Sequence, residues 1–395
     1  MVTREQIAAL FERETIAEVV PSREAFEKRL LNGDPMHVYF GIDPTADKIH
    51  LGHVQNLLFL EDLRSLGVKV TVLFGSFTGM VGDPSERDGV RSELSEKQVR
   101  ENMRTWKRQI SPILNLSWRS GARIDHNARW YRKMSLTTFL SLLREVTAQQ
   151  LLERDMFQKR LEDGKPLHAH ELIYPILQGY DSVMLEADGE LCGTDQTFNA
   201  LVGRTFARRF ADREKVVIAM NLLQADGVLM SKSSGTGVFV DIESGGADRM
   251  FGAVMAVPDA FVIPIYKACT RVSMQDIASL ADRSGSAMRD TKMQLAQEIV
   301  SLFWGKGVAA AASDRYTQQF QKGEVPDDVP SITDTGGSTL LDVVAEHGAV
   351  SRSDARRKIA QGAVSVDGKK VTDVSYVIAS GDRVLKVGRH LFHLS

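Results

Sequence analysis

Apolar positions in the first 222 residues alternate between two periods. Short β-rich runs stand at 37–42 (His37-Val38-Tyr39-Phe40-Gly41-Ile42), 68–75 and 215–220, and helical periodicity fills most of the spaces between them. This alternation predicts an α/β fold, a mostly parallel sheet with helices on both faces. One helix is predicted near 95–114, with Ser95 as N-cap and Gln98 completing a capping box, and another opens at Thr3 with the same device. Residues 224–237 are polar and rich in Gly and Ser, which reads as a mobile loop. From 246 to 321 the pattern is helical without a convincing strand, and the Pro-, Gly- and acid-rich stretch that follows marks a linker.

The last segment changes character. Helices are expected over 339–346 and 353–361, then strands over 363–366, 370–374 and 382–387, with Asp367-Gly368 as a hairpin turn. Between Ser351 and Ser395 nine Lys/Arg stand against four acids, a net +5 on a chain of net −2. A small basic α+β module on a near-neutral protein is an electrostatic footprint for nucleic acid.

Length and composition narrow the classes. The 395 residues suffice for two or three domains, and 43% hydrophobic with 25% charged residues is ordinary for a soluble protein. Two cysteines, Cys192 and Cys269, make no disulfide framework and lack metal-ligand spacing, so a reducing cytoplasmic compartment and no bound metal are expected. No apolar run has membrane length, and the N-terminus does not read as a signal peptide.

Two short words carry the candidate chemistry. His50-Leu51-Gly52-His53 follows the run 37–42 and the turn Asp43-Pro44-Thr45, and opens an amphipathic stretch that stops at Gly67. Strand, loop and helix N-terminus in that order is where phosphates bind in open α/β sheets. Met230-Ser231-Lys232-Ser233 lies in the polar loop and offers a cation on a movable segment. Together they suit attack of a carboxylate on the α-phosphorus of ATP. That reaction needs no general base, only positioning and donors on the developing charge. A single histidine at a helix start is ordinarily a cap or a packed ring; the second word argues for more.

The pair resembles the two signatures of class I aminoacyl-tRNA synthetases. The blocks Tyr39–Ala46, Gly82-Asp83-Pro84-Ser85, Tyr174-Pro175-Ile176-Leu177-Gln178-Gly179-Tyr180-Asp181 and Gly193-Thr194-Asp195-Gln196 narrow the resemblance to the tyrosyl family, and the basic tail is similar to the RNA-binding module ending bacterial members. The resemblance implies a Rossmann-like catalytic domain over 1–225 with a helical dimer-interface insertion at about 110–165. It further implies a signature loop at 226–245, a helical anticodon-binding domain at 246–322, a linker at 323–338 and an RNA-binding domain at 339–395. It implies attachment of L-tyrosine to tRNA(Tyr) through tyrosyl-adenylate, by a cytoplasmic homodimer using ATP with Mg2+ as its substrate complex.

By the same resemblance, Tyr39 and Asp181 take the substrate phenol, Asp83, Tyr174 and Gln178 its ammonium, and Gln196 lies near its carboxylate. Gly41, Asp43, Thr45, His50, Gly52, His53 and Met230 contact ATP, Gly193 and Asp195 take the ribose, and Arg87, Arg91, Lys232 and Ser233 close on the pyrophosphate. Tyr174, Gln178 and Asp181 are spaced i, i+4, i+7, one helix face. Three positions depart from the family pattern: Leu229 replaces the lysine that usually opens the second signature, Glu86 stands where glycine is usual, and Cys192 replaces a common glycine. The tryptophanyl enzyme, a nucleotidyltransferase of the same superfamily and a non-catalytic RNA-binding derivative are the competing readings.

Overall fold

The computed structural model describes residues 2–84, 94–117, 119–230, 235–321, 331–332, 337–347, 351–378, 384–388 and 390–394. Contacts divide the chain into two compact units, residues 1–312 and 313–395.

The first unit is built on a six-stranded sheet. Its strands are β1 (Ile16–Val20), β2 (His37–Ile42), β3 (Lys69–Phe74), β4 (Ala122–His126), β5 (Gly189–Gly193) and β6 (Val216–Met220), in spatial order β1-β6-β5-β2-β3-β4. All neighbours are parallel except β1, which runs antiparallel to β6 along one edge. The three apolar runs read from the pattern are β2, β3 and β6. Their continuous apolar character follows from burial on both faces: Val38, Tyr39, Val72, Val217 and Ile218 are all buried.

The strands that the pattern did not disclose have physical reasons for hiding. β1 and β4 lie at the edges, carry charges and are half-exposed. β5 reads Gly-Glu-Leu-Cys-Gly, a sequence of poor strand propensity. It is nevertheless central, hydrogen-bonded on both sides, with Glu190 1% exposed.

The chain leaves β2 toward β3 and β4 on one side and returns to β5 and β6 on the other. The switch therefore falls between β2 and β5, where open α/β sheets form a ligand crevice at the strands' carboxyl ends. The helix Leu51–Ser65 follows β2 and buries nearly all of its middle turns. It ends at Leu66, with Gly67 supplying the positive φ of 92° beyond it. The region beyond 246 is helical as expected: Gly246–Met255, Val262–Cys269, Met274–Ala278 and Gly285–Gln321, the last interrupted at Gly305 (φ 80°). Among the described residues no single helix is long and apolar enough to cross a membrane.

In the second unit, helices Leu340–His347 and Arg352–Ala360 pack against a five-stranded sheet through Leu340, Val344, Ile359 and Leu385. The sheet order is Lys369–Lys370, Val364–Val366, Val384–Val387, His390–Leu394, Ser331–Ile332. Asp367 (φ 47°) and Gly368 (φ 77°) form the predicted turn. The strand expected at 370–374 shrinks to Lys369–Lys370, and His390–Leu394 was not anticipated. Within the stretch read as linker, Ser331–Ile332 pairs in parallel with His390–Leu394 and buries Ile332 to 3% exposure. Two residues carry no periodicity, so only the distant pairing partner reveals that strand.

Candidate active site

The first signature is built from backbone upward. His50 is the N-cap of the helix Leu51–Ser65, and its Nδ1 accepts the Gly52 N–H at 3.1 Å. The His50 N–H in turn donates to His53 Nδ1 at 3.2 Å. This reciprocal cap satisfies donors that a helix start leaves open. It also fixes both tautomers: an Nδ1 that accepts carries no proton, so each neutral ring holds its proton on Nε2. Burial pushes His50 down to about 4, and burial followed by the neighbouring His50 pushes His53 well below its ordinary value. The two rings, 4.0 Å apart, are thus neutral Nε2–H donors at neutral pH rather than cations.

Gly52 has a specific steric role. A Cβ there would stand 2.9 Å from His50 Cε1 and 3.0 Å from its Nδ1, so any side chain would displace the capping ring.

Two flanking segments hold this turn, and neither was evident in the motifs. The predicted helix exists as Glu96–Ile110 with its Ser95/Gln98 capping box. Four of its side chains, one face at i, i+3, i+4 and i+7, grip the loop after β2. Asn102 donates to Pro44 O (2.8 Å), Thr105 to Asp47 O (2.7 Å), Trp106 Nε1 to Ala46 O (2.7 Å), and Gln109 Nε2 to Asp47 O (2.8 Å) while its Oε1 accepts from Ile49 N (2.8 Å). From the other side, Val238 O accepts from Leu51 N (3.1 Å) and Val240 N donates to Ile49 O (2.8 Å). Thr45 is half-buried within this loop, its N–H bonded to Asp43 O at 2.8 Å.

The helix Ala169–Met184 presents Tyr174, Gln178 and Asp181 from one face. Asp181 is 4% exposed and accepts from Asn127 Nδ2 (3.2 Å), Trp130 Nε1 (2.9 Å) and Tyr131 OH (2.7 Å). Burial raises it to about 8, against the pull of those three donors. Tyr39, fully buried on β2, bonds Ser182 Oγ at 2.9 Å. Tyr174 OH donates to Asp43 Oδ2 (2.9 Å), and Thr78 Oγ1 donates to Asp43 Oδ1 (2.7 Å). The Asp43 carboxylate lies so close over Gly75 that a Cβ on that residue would be 1.7 Å from Oδ1. Asp43 therefore holds Tyr174 in this structure.

Gln178, Gln196 and Asp83 belong to one network. Gln178 Nε2 donates to Glu190 Oε1 (2.8 Å), Asn199 Nδ2 donates to Gln178 Oε1 (2.9 Å) and Gln196 Oε1 (2.7 Å), and Gln196 Nε2 donates to Asp83 Oδ2 (2.6 Å). Nothing local in the sequence marks Asn199 or Glu190 as members of this network. Asn127, Trp130 and Tyr131 also escape the motifs, although their i, i+3, i+4 spacing is a usable signal.

Gly41 and Asp43 stand at the carboxyl end of β2, Gly193 and Asp195 at that of β5, on the two sides of the switch point. A Cβ at Gly193 would lie 2.4 Å from Asp195 Oδ1, and burial raises the Asp195 carboxyl. Part of the segment read as loop is a hairpin: Gln224–Ala225 pairs with Val228–Leu229 around Asp226 (φ 50°) and Gly227 (φ 75°). Met230 follows it, 2% exposed. Arg87, Arg91, Lys232 and Ser233, and the departure Glu86, lie outside the described residues. Among the described residues no group of three or more His, Cys, Asp or Glu is placed to hold a metal.

Residues 31–321 match the family described as tRNA synthetases class I (W and Y), and residues 339–384 match the S4 domain. The chain is 37% identical over 382 residues to a tyrosine–tRNA ligase of Francisella tularensis subsp. tularensis, covering 95% of each chain. It is 37% identical over 391 residues to the tyrosine–tRNA ligase of Moorella thermoacetica, covering 96% of this chain and 93% of that one. Among solved structures, the C-terminally truncated mitochondrial tyrosyl-tRNA synthetase of Aspergillus nidulans shares the fold at TM-score 0.65 and 24% identity, over 80% of this chain and 94% of that one. The tyrosyl-tRNA synthetase of Archaeoglobus fulgidus, complexed with L-tyrosine, does so at TM-score 0.59 and 19% identity, over 79% and 100%.

Proposed function

The chain belongs to the class I tRNA synthetases of the tryptophan and tyrosine kind, and we propose that its site joins L-tyrosine to tRNA(Tyr) in two steps. The tyrosine carboxylate attacks the α-phosphorus of ATP in line and pyrophosphate leaves. A terminal ribose hydroxyl of the tRNA then takes the tyrosyl carbonyl and AMP leaves. The carboxylate is already ionised, so the protein's task is to position the reactants and place donors. The observation that carries this reading is the pair of tautomer-fixed Nε2–H donors, His50 and His53, at a helix start beside the switch point.

In this reading Tyr39 and Asp181 meet the phenol, Asp83, Tyr174 and Gln178 the ammonium, and Gln196 the carboxylate. Gly41, Asp43, Thr45, Gly52 and the two histidines meet ATP, Gly193 and Asp195 its ribose. Met230 also meets ATP, and Arg87, Arg91, Lys232 and Ser233 close on the pyrophosphate, with Mg2+ arriving on the nucleotide. Leu229 removes one cation from that closure, which leaves more of it to Lys232.

Pyrophosphate exchange into ATP, run over all amino acids, tests the reading. Tyrosine is expected to support exchange. Phenylalanine should fall far behind, because a site built around buried polar groups leaves them unpaired without the hydroxyl. Exchange driven by tryptophan instead, or none with folded protein, would overturn it.

We also propose a homodimer through the 110–165 segment. Leu136 (72% exposed) and Leu140 (47%) stand in solvent on the helix Leu136–Leu143, an arrangement that an interface would cover. Light scattering should give twice the chain mass for the wild type and one chain mass for Leu136→Asp/Leu140→Asp. A monomeric wild type at micromolar concentration sinks the proposal. The helical region 246–322 is assigned to the anticodon and the basic S4 module to further tRNA contact.

A further inference from the structure

Beneath the tyrosine-reading face lies a charge that adenylation does not use. Lys215 and Glu190 are 0% and 1% exposed and form an ion pair in the interior. Removing two charges from water costs several kcal/mol per ion, and their attraction seldom returns more than that. Such a pair is weak evidence of stabilisation, so its connections matter more than its energy.

The ammonium has three protons to give, and all three are placed: to Glu190 Oε2, to Ser182 Oγ (2.7 Å) and to Ala200 O (3.0 Å). The helix Thr197–Ala211 leaves room for it at Gly203, where a Cβ would stand 2.5 Å from Nζ and 2.5 Å from Ser182 Oγ. Two arms leave this cation. Along one, Ser182 Oγ bonds the Tyr39 hydroxyl at 2.9 Å, and Nζ itself lies 5.7 Å from the centroid of the Tyr39 ring. Along the other, Glu190 Oε1 accepts from Gln178, whose carboxamide continues through Asn199 to Gln196.

We propose that Lys215 is a positioning residue for amino-acid selection, one buried cation that sets both the Tyr39 hydroxyl, through Ser182, and the Gln178 carboxamide, through Glu190. The proposal rests on the assignment of Tyr39 and Gln178 to the tyrosine. It concerns binding and discrimination, not the adenylation step, since no arm from Lys215 reaches His50 or His53 among the described contacts.

The test is pyrophosphate exchange with Lys215→Met in the full-length protein, with thermal melting beside it. The KM for tyrosine should rise about tenfold, the scale of one hydrogen bond to a charged group, and the tyrosine/phenylalanine preference should fall by a similar factor. The KM for ATP and kcat should stay within about twofold, since uniform loss of substrate binding leaves kcat alone. A lowered melting temperature with an unchanged tyrosine KM overturns the proposal, as does an equal rise in both KM values.

If Lys215→Met does not fold, Lys215→Met/Glu190→Gln removes both charges and leaves Gln178 an acceptor. Its tyrosine/phenylalanine preference should still fall, because the Ser182 arm is still cut. A wild-type preference in that double variant overturns the proposal. Tyr39→Phe separates the role of Lys215 from that of Tyr39. If it leaves the preference intact, the reading of Tyr39 fails; if it lowers the preference while Lys215→Met does not, only the role of Lys215 fails.

Discussion

Replacing His50 with alanine should slow tyrosyl-adenylate formation about 10²–10³-fold, the usual cost of removing one preorganised donor from a developing negative charge. Tyrosine binding should change by less than about twofold, because the lost contact is made in the transition state and not to the amino acid. The structure sharpens what the side chain provides. Its Nδ1 is occupied by the Gly52 N–H, so only the Nε2–H is available to a phosphate, and burial keeps the ring neutral by lowering its value from 6.5 to about 4.

The same geometry makes His50 a helix cap, so alanine also costs about 1 kcal/mol of stability. His50→Asn separates the roles, since asparagine caps well but is too short to take over the donor. Both variants should be slow in single-turnover adenylation, and only alanine should melt early. Equal losses in adenylation rate and in equilibrium tyrosine binding would contradict a role confined to the transition state.

A pH dependence follows with a definite sign. The folded value of His50 lies below its ordinary one, so its contribution to stability is full above about pH 6.5 and is lost as pH falls toward about 4. The adenylation rate should not show a histidine titration between pH 8 and about 6.

Removing everything after Gln321 should leave tyrosine-dependent pyrophosphate exchange near wild type and lower the efficiency of tRNA charging about 10²-fold. The size of the loss is that of a tethered second binding module. The cut must precede Ser331, because Ser331–Ile332 is a strand of the second unit's sheet and a cut at Thr339 would leave it behind. Arg356, Lys369 and Lys370 are exposed on that unit, so charging by the full chain should fall more steeply with salt than charging by the truncated one. Collapse of exchange would mean that the tail is part of the catalytic fold. Unchanged charging at low tRNA concentration would remove its assigned role.

Much of this was legible one residue at a time. Strands β2, β3 and β6 announced themselves because central parallel strands are buried on both faces and exclude most polar residues. The cap of Glu96–Ile110 was readable because a capping box spans only three residues. Tyr174, Gln178 and Asp181 could be placed together from helical spacing alone. Each of these signals is local, with a period or an offset written in consecutive positions.

What escaped was whatever depends on a partner distant in the chain. β5 carries two glycines and a glutamate, so nothing local marks it as a strand; its pairing with β2 and β6 on either side, and the partner Lys215 that Glu190 meets in the interior, are all distant in the chain. Ser331–Ile332 becomes a strand only when His390–Leu394 lies beside it. Asp181 could be named from its motif, but not the donors Asn127, Trp130 and Tyr131 that orient its carboxylate.

The opening histidines mark the division best. Their sequence by itself determined that two imidazoles meet at a helix start after a buried strand, since an i, i+3 offset brings them together wherever that helix begins. Their protonation was decided by tertiary structure. Desolvation depends on what covers a ring, and here the cover comes from Trp106, 5.2 Å from His53, and Phe239, 6.2 Å from His50, both remote in the chain. Periodicity and offsets record local geometry, whereas burial and the field around a charge sum over the whole fold.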